Sequence, residues 1–305
     1  MPNLKSNKTQ FIILLILVLA VIYIYFGDGV RKESNLKADL ISIDTSKVSE
    51  IILSPKSNGE KVKLHKENDG WKVELSDNKF ASVPTEKVIN MLSTLLKIKP
   101  NVLVSRKKEN WDEYQVGENA TKVEIYENGN KNLDLVVGKY SFQQPRQMNS
   151  YVRLASETEV YEVDGFLEMQ FNQKKNSFRD NTIIKDNESN WVSLKFNYPD
   201  EKYSMIRDNG TWKIDGIEAD SLETVNYLKS LARLSSTEYI DNFVEGKTTK
   251  TITIERDDST NIVLNEMVSN STVVVNSSVN KESFFDAAKN ELGNKIFVNK
   301  NIFIK

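Results

Sequence analysis

Hydrophobic and polar residues alternate along two similar stretches of the chain. The first reads HKENDGWKVEL (His65–Leu75) and the second reads MIRDNGTWKID (Met205–Asp215). Alternation with period two is the pattern of a half-buried strand, and an Asn/Asp-Gly pair favours a tight hairpin turn. Each stretch therefore predicts a β-hairpin, with Asp69-Gly70 at the first corner and Asn209-Gly210 at the second.

A helical pattern follows each hairpin. Apolar residues recur at spacings of three and four at Val88, Met91, Leu92, Leu95 and Leu96, and again at Leu222, Val225, Leu228 and Leu231. This spacing predicts one helix that packs on each hairpin. Asp220, with Glu223 three positions later, predicts a capping pair at the start of the second helix.

The chain then returns to strand patterns in both halves. In the first half these are TKVEIYE, KNLDLVVG, NSYVRL and TEVYEVD, followed by a short helix at GFLEMQFN. In the second half they are KTITIER, TNIVLN and NSTVVVN, followed by a helix at KESFFDAAKNEL and a last strand near KIFVNKNIFIK. Hairpins without long crossover helices favour antiparallel sheets.

These patterns predict an α+β fold made by tandem duplication of one module. Residues 46–185 form the first repeat and residues 186–305 the second, each a mostly antiparallel sheet with a packed helix. Trp71 and Trp212 occupy matching places and lie about one domain length apart. The alternative is that two unrelated hairpins share a Gly corner and a Trp by coincidence.

An uncharged apolar run, Phe11–Phe26, comes before the repeats. With its neighbours it approaches the length that crosses a hydrocarbon core of about 30 Å, so residues 1–27 predict a transmembrane helix that acts as a signal anchor, with lipid contact over residues 9–27. A cleaved signal peptide is the alternative, but no small-residue cleavage site follows Phe26. Residues 28–45 then form a polar tether, and we expect the globular part of this single-pass membrane protein to be extracytoplasmic, either periplasmic or on the cell surface.

Composition narrows the possible chemistry. The 305 residues carry a formal net charge of -2 with both signs interspersed, which excludes the basic face that nucleic acid requires. The chain contains no Cys, which excludes disulfides, thiolate catalysis and Cys-ligated metal sites.

The sequence predicts no enzyme and no cofactor or metal site. The single His, His65, lies on a predicted hairpin strand, and neither a Gly-x-Ser-x-Gly elbow nor a phosphate-binding loop occurs. Carboxylate pairs such as Asp112-Glu113 and Asp257-Asp258 could serve a glycosidase, but they fall in predicted loops, where charges are normally solvated.

One loop region has the residue types that interfaces favour. The segment from Gly138 to Leu154 contains a candidate interaction surface of Tyr140, Phe142, Arg146, Met148, Tyr151 and Arg153. The alternative interpretation is that Phe142 and Tyr151 are core residues of adjoining strands and that Arg146 is a solvated turn residue.

The order EIIL, VKL, GWKVE, helix, YQVGEN, VEIY, LDLVVGK, SYVRL and VYEVDGF resembles the domain of unknown function 4340 family. The resemblance is clearest over Val48–Asn181, although Tyr114-Gln115-Val116-Gly117 stands where the family tends to show Phe-Gly-Leu. It implies a bacterial membrane-anchored protein of the kind often encoded beside gliding-motility-type ABC transporter genes, without a known active site.

Two functions follow as hypotheses. The first is a non-enzymatic accessory or scaffold protein that binds an ABC transporter permease or another envelope protein. The alternative is a cell-surface module that binds cell-wall glycan on an aromatic platform. The four tryptophans discriminate between them, because two or more exposed on one face would favour glycan binding. They are Trp71, Trp111, Trp191 and Trp212.

Overall fold

The structure is a computed structural model that describes residues 13–18, 39–56, 59–143, 147–244 and 246–304. The chain divides into two compact units. The first comprises the described residues up to Lys63 together with Ile89–Lys174, and the second comprises Leu64–Val88 and the residues from Lys175 onward. The repeat boundaries expected from the sequence stay a prediction.

Most of the predicted membrane anchor lies outside the described residues. Within Phe11–Phe26, positions 13–18 are described, and they are helical with exposed apolar side chains. In the described ranges, no helix combines the length and the apolar character that crossing a membrane requires. The predicted tether is described from Asp39, and Leu40 and Ile41 are already buried.

The first antiparallel sheet has nine strands in the described part of the chain. They are β1 (Val48–Ser54), β2 (Val62–Glu67), β3 (Gly70–Glu74), β4 (Phe80–Val83), β5 (Pro100–Ser105), β6 (Thr121–Glu127), β7 (Asn130–Gln143), β8 (Gln147–Leu154) and β9 (Val160–Asp164). Their spatial order is β4-β3-β2-β1-β6-β7-β8-β9-β5.

The second antiparallel sheet has eight strands in the same described ranges. They are β10 (Trp191–Asn197), β11 (Lys202–Asp208), β12 (Thr211–Ile214), β13 (Ile217–Glu218), β14 (Lys247–Arg256), β15 (Asn261–Ser269), β16 (Thr272–Ser277) and β17 (Asn280–Asp286). Their order is β13-β12-β11-β10-β14-β15-β16-β17. The predicted α+β class with two antiparallel sheets is thereby confirmed.

Eight strands follow the same order in both sheets. Strands β10 to β13 correspond to β1 to β4, and β14 to β17 correspond to β6 to β9. The ninth strand of the first sheet, β5, pairs with β9, and a single antiparallel bridge between Tyr239 and Phe285 occupies the matching place beside β17. The hairpin tryptophans also share a register, since Trp71 lies opposite Lys66 and Trp212 lies opposite Arg207.

Five short helices accompany the sheets in the described residues. They are α1 (Thr85–Leu96), α2 (Trp111–Tyr114), α3 (Leu167–Phe171), α4 (Ser221–Leu231) and α5 (Leu292–Ile296). Helix α1 follows β4 and helix α4 follows β13, so each predicted hairpin is followed by the predicted helix.

The buried faces of α1 and α4 match the predicted faces only in part. Helix α1 buries Val88, Met91, Leu92 and Leu95, whereas Leu96 is exposed. Helix α4 buries Thr224, Tyr227, Leu228 and Leu231, and the predicted core residues Leu222 and Val225 are exposed instead. The carboxylate of Asp220 accepts a hydrogen bond from the backbone N–H of Leu222. Leu222 therefore lies in the first turn of α4, where its side chain is exposed.

The predicted capping pair forms in one direction. The carboxylate of Asp220 accepts hydrogen bonds from the backbone N–H groups of Leu222 and Glu223. The backbone N–H of Asp220, which a capping box would pair with Glu223, donates to the carbonyl oxygen of Phe303.

The two predicted hairpin corners differ. Asn209 and Gly210 have φ values of 50° and 83°, as a two-residue turn of the primed type requires. In the first hairpin Gly70 already belongs to β3 and lies opposite Glu67, so the turn consists of Asn68 and Asp69. The predicted corner Asp69-Gly70 is therefore shifted by one position, and of the two residues only Gly70 has the predicted positive φ, at 139°.

The C-terminal elements also differ from the prediction. Most of KESFFDAAKNEL lies in or beside strand β17, because Ser283, Phe285 and Ala287 are buried in alternation and Phe285 pairs with Val275. Instead of a last strand, the structure has α5 and a 3-10 turn at Lys300–Ile302.

A close backbone contact lies where β7 leaves β6. Strand β6 pairs with β7 as far as Thr121 opposite Val137, and the register of β7 against β8 shifts between Val137 and Tyr140. A Cβ atom on Gly138 would lie 2.2 Å from the carbonyl oxygen of Tyr114. Glycine at this position thus allows the end of α2 to pack against β7.

We predict that Gly138→Ala lowers the free energy of unfolding by about 1–3 kcal/mol, because a methyl group collides with the carbonyl oxygen of Tyr114. Urea denaturation measures this change. Gly117→Ala is the matched control, since its Cβ would meet only Asp112 Oδ1 at 3.5 Å. Equal midpoints for the two variants would contradict this packing.

Aromatic side chains concentrate in the core of the second sheet. The rings of Phe196 and Tyr203 stack with centroids 4.2 Å apart, and the hydroxyl groups of Tyr203 and Tyr227 donate to the carbonyl oxygens of Val298 and Ile296. Burial raises the pKa values of Tyr198, Tyr203 and Tyr227, and it raises the pKa of Tyr239 to about 12. The folded state therefore holds these phenols in their neutral form.

We predict that the second unit loses stability as the pH rises from about 10 to 12. The pKa values of these tyrosines are higher in the folded state than in the unfolded state. The stabilisation from the neutral phenols is therefore complete below the ordinary tyrosine pKa and declines above it. The expected slope is roughly 1.4 kcal/mol per pH unit for each of these tyrosines. Denaturation at a series of pH values measures this slope. Tyr239→Phe is expected to reduce the slope by the contribution of one tyrosine. A stability that stays constant over this range would refute the prediction.

Candidate functional site

The β7–β8 hairpin extends beyond the strands on both of its sides, beyond β6 after Val137 and beyond β9 at the Asn149–Asp164 pair, and we call this extension the ribbon. Beyond Val137 the β6–β7 ladder ends, while β7 continues to pair with β8 through Tyr140 opposite Ser150 and Phe142 opposite Met148. Residues two apart on a strand share a face, and directly opposed residues share it too. Tyr140, Phe142 and Met148 therefore lie on one face of the ribbon.

That face is apolar and open to solvent. The exposed fractions are 49% for Tyr140, 56% for Phe142 and 43% for Met148. The ring of Tyr140 packs on Phe166, with centroids 4.5 Å apart, and this contact supports one side of the ribbon. We call Tyr140, Phe142, Met148 and Phe166 the ribbon surface.

The other predicted site residues do not join the ribbon surface. Arg146 lies outside the described residues. Arg153 is 5% exposed, and its guanidinium donates to the carbonyl oxygens of Val116, Leu154, Ala155 and Glu157. Tyr151 is partly buried, and its ring lies 4.8 Å from that of Tyr114.

Arg153 is the centre of a second cluster. Its guanidinium carbon lies 3.7 Å from the ring centroid of Trp111, and the indole Nε1 of Trp111 donates to the carbonyl oxygen of Thr158. Burial lowers the pKa of Arg153, and the nearby Asp134 carboxylate opposes that shift. The cation thus joins α2 to the β8–β9 turn inside the protein.

The residues with catalytic side chains lie on separate elements of the fold. His65 is half-buried on β2, with Nε2 3.5 Å from Glu74 Oε2 and its ring edge-on to Phe80. Asp112 and Glu113 are exposed on α2, and the carboxylate of Asp258 accepts from Thr260 in its own turn. Among the described residues, no group of three or more His, Asp or Glu side chains could hold a metal ion.

None of the four tryptophans is exposed. Trp71 and Trp191 are buried, and Trp191 Nε1 donates to Asp186 Oδ2 at 2.7 Å. Trp111 and Trp212 are partly buried. The tryptophans therefore do not form an open aromatic platform.

A cleft of about 300 Å³ opens in the second unit beside Trp212. It lies between the β11–β12 hairpin and helix α4, and Thr224, Val225 and Leu228 line its helical side. Four charged side chains also line it: Glu188, Arg207, Glu218 and Lys229.

The family described as domain of unknown function (DUF4340) matches residues 74–255. The chain belongs to this family. No curated protein and no solved structure matches the chain.

The family match covers parts of both sheets. It begins at the end of β3 and ends near the end of β14, so it includes the ribbon surface, the Arg153 cluster and the cleft beside Trp212. The resemblance noted from the sequence is thereby confirmed at the level of the family. The match extends beyond Asn181 toward the C-terminus, but it does not include Val48–Val73.

Sequence reasoning missed two contributors to these sites. Phe166 follows β9, and only the fold brings its ring against Tyr140. Thr224 falls between predicted apolar positions of α4, where its spacing of three before Tyr227 and four before Leu228 could have placed it on the buried face.

We predict that Arg153→Lys lowers the free energy of unfolding by about 2–4 kcal/mol, because a lysine ammonium cannot match the planar donors that reach several carbonyl groups. Urea denaturation measures the loss. Arg106→Lys, on an exposed side chain of the same unit, is the control and is expected to change stability by less than about 0.5 kcal/mol. If both variants are as stable as the parent, the Arg153 contacts contribute nothing.

Proposed function

We propose that the protein is a non-enzymatic, membrane-anchored accessory protein whose ribbon surface binds a multi-span permease of an ABC-type transporter. The observation that carries this proposal is the exposed apolar face of the ribbon, formed by Tyr140, Phe142 and Met148. Aromatic residues and methionine are enriched at protein interfaces, and exposed apolar patches mark interaction sites.

The ribbon is an addition to a scaffold that is otherwise shared by both sheets. We infer that the shared scaffold arose by tandem duplication, because eight strands follow the same order and a helix follows each first hairpin. Strand β7 has 14 residues, whereas its counterpart β15 has 9. The extra length is confined to the first repeat, which supports a specialised role for the ribbon.

The proposed partner lies in the same membrane. The apolar run Phe11–Phe26 supports an anchor, and the chain joins the folded first unit by Leu40, which leaves a short tether. Confinement to one membrane raises the effective concentration of two partners, so a modest interface suffices. We place the folded units on the extracytoplasmic side, since a short N-terminal segment before an apolar run is typical of a signal anchor.

Glycan binding is the second candidate function. The buried or half-buried tryptophans argue against an open platform, and the cleft beside Trp212 favours a small site instead. Such a site would act on a different surface from the ribbon and does not require a permease.

We predict that Phe142→Ser reduces the permease recovered with the protein from native membranes by at least tenfold, because a central aromatic residue contributes a large share of the binding free energy. Affinity purification followed by quantitative mass spectrometry measures the recovery. Ile206→Ser is the matched control, since Ile206 on β11 is 53% exposed and Phe142 is 56% exposed.

A second exchange separates the ribbon from the anchor. Replacing Phe11–Phe26 by an unrelated apolar span is expected to leave the association intact, because this span has no row of small residues for helix packing. Loss of the permease after the span exchange, with the ribbon unchanged, would place the interface in the bilayer. Full recovery with Phe142→Ser would also contradict the proposal.

A further inference from the structure

One row of side chains on the second sheet is polar but uncharged. Directly opposed residues on neighbouring antiparallel strands share a face of the sheet. By this pairing the row crosses β10, β14, β15 and β16 and consists of Asn197, Thr251, Asn265 and Asn276. Leu264 and Val275, which precede the last two residues in the chain, belong to the buried core. Successive residues of a strand point to opposite faces, so the row lies on the face opposite this core.

The matching row of the first sheet has a different chemistry. It crosses β1, β6, β7 and β8 and consists of Ser54, Lys122, Val136 and Arg153. Each sheet therefore has such a row at the same place in its strand order, with two cations in the first sheet and no charge in the second. Amide groups provide hydrogen-bond donors and acceptors without net charge, so the second row suits an uncharged ligand.

A cavity of about 610 Å³ opens at the end of this row in the second unit, and Asn265 and Asn276 line it. Its volume is within the range of small-molecule sites. Six apolar side chains form its walls: Leu75, Phe80, Ile240, Phe243, Met267 and Phe284. The ring centroids of Phe243 and Phe284 are 5.0 Å apart, and Phe80 is 39% exposed. The walls therefore offer accessible aromatic surface to an apolar group.

Two amide atoms beside these walls have no hydrogen-bond partner in the described part of the chain. Asn276 Nδ2 donates to the carbonyl oxygens of Lys281 and Ser283, which leaves Oδ1 open as an acceptor. Asn265 Oδ1 accepts from the hydroxyl group of Thr251, which leaves Nδ2 open as a donor. Both asparagines are only partly buried, and neither open atom is closed off from solvent by the described residues. A ligand in the cavity can therefore reach one donor and one acceptor on opposed residues.

The charged side chains that line the cavity are already engaged within the protein. Lys79 Nζ donates to the carbonyl oxygen of Asp241 at 2.8 Å. The carboxylate of Asp241 accepts from Arg179 at 2.6 Å. The carboxylate of Glu282 accepts from Lys72. A charged ligand would compete with these contacts, whereas an uncharged ligand leaves them intact.

We propose that this cavity binds one apolar residue of an extended, uncharged peptide segment of a partner protein. The N–H and the C=O of one residue in an extended chain point to the same side, as they do in an antiparallel ladder. The N–H donates to Asn276 Oδ1, and the C=O accepts from Asn265 Nδ2. The apolar side chain packs on the rings of Phe80 and Phe284. The site uses no residue of the ribbon surface, so it is independent of the proposed permease association.

An N-acetyl sugar matches this arrangement less well. Its single trans amide directs the N–H and the C=O in opposite directions, so one amide group cannot engage both open atoms from one side. The apolar walls also leave most sugar hydroxyl groups without a partner.

Calorimetric titration of the full chain in detergent tests the proposal, with a titration into detergent alone as the blank. The probe is N-acetyl-phenylalanine methylamide, which is one uncharged residue between two amide groups. Free phenylalanine keeps the side chain but carries two charges, and N-acetylglucosamine carries a single amide on a sugar. We expect saturable binding of the probe and at least tenfold weaker binding of the other two compounds.

Substitutions on opposite sides of the cavity test the amide contacts and the apolar wall separately. Asn265→Asp keeps the oxygen that accepts from Thr251 but replaces the open donor by an acceptor, so we expect about tenfold weaker binding of the probe. Asn261→Asp, the same change at an exposed position of β15, is the matched control and is expected to stay within about twofold of the parent. Phe80→Ala is expected to weaken binding about tenfold, and Phe80→Leu about threefold or less.

Thermal unfolding of each variant distinguishes lost binding from a lost fold. If Asn265→Asp does not fold, the comparison of the two Phe80 variants decides the question. The proposal is overturned if the probe does not bind saturably, or if phenylalanine or N-acetylglucosamine binds more tightly than the probe. It is equally overturned if a folded Asn265→Asp binds the probe as tightly as Asn261→Asp, or if Phe80→Ala binds it as tightly as the parent.

Discussion

Two-residue turns with positive φ are the constraint on which both sheets depend. Four such pairs close hairpins: Asn128-Gly129, Asn209-Gly210, Asp215-Gly216 and Asn270-Ser271. Their backbone matches the twist of the flanking strands and fixes which residues lie opposite one another. A slip of one residue would turn every core side chain of a strand toward solvent. Three of these turns lie in the second sheet and one in the first, and the strand pairing at these four hairpins depends on residues that tolerate left-handed backbone.

Much of the fold could be predicted because its signals are local. Alternation in WKVE and TKVEIYE and the Asn-Gly pairs each lie within a few residues of the structure that they specify. The errors arose where contacts distant in sequence decide. The segment around Phe285 reads equally well as a helix, but pairing with Val275 makes it a strand. Likewise, Leu222 has helical spacing, yet the cap at Asp220 places it in a solvent-facing first turn.

The candidate site was predictable by residue type more than by position. Tyr140, Phe142 and Met148 share a ribbon face, but the register shift after Val137 separates them from the environment of Arg153. No local pattern shows that α2 folds back to place Trp111 against that guanidinium. Thr224 illustrates the same limit, because only the fold shows that it lies on the buried face of α4.

Strand β7 stops pairing with β6 at Val137, so the length of the ribbon can change without a change in the pairing of these two strands. Beyond Ser141 and its partner Asn149, where the β8–β9 pairing also ends, residues can be inserted or removed in opposed pairs without moving the turn at Asn128-Gly129 or the strands on either side of the hairpin. Each added pair would lengthen the arm by about 3.3 Å, and two pairs would return the same face outward. The reach of the apolar face is thus adjustable in small steps.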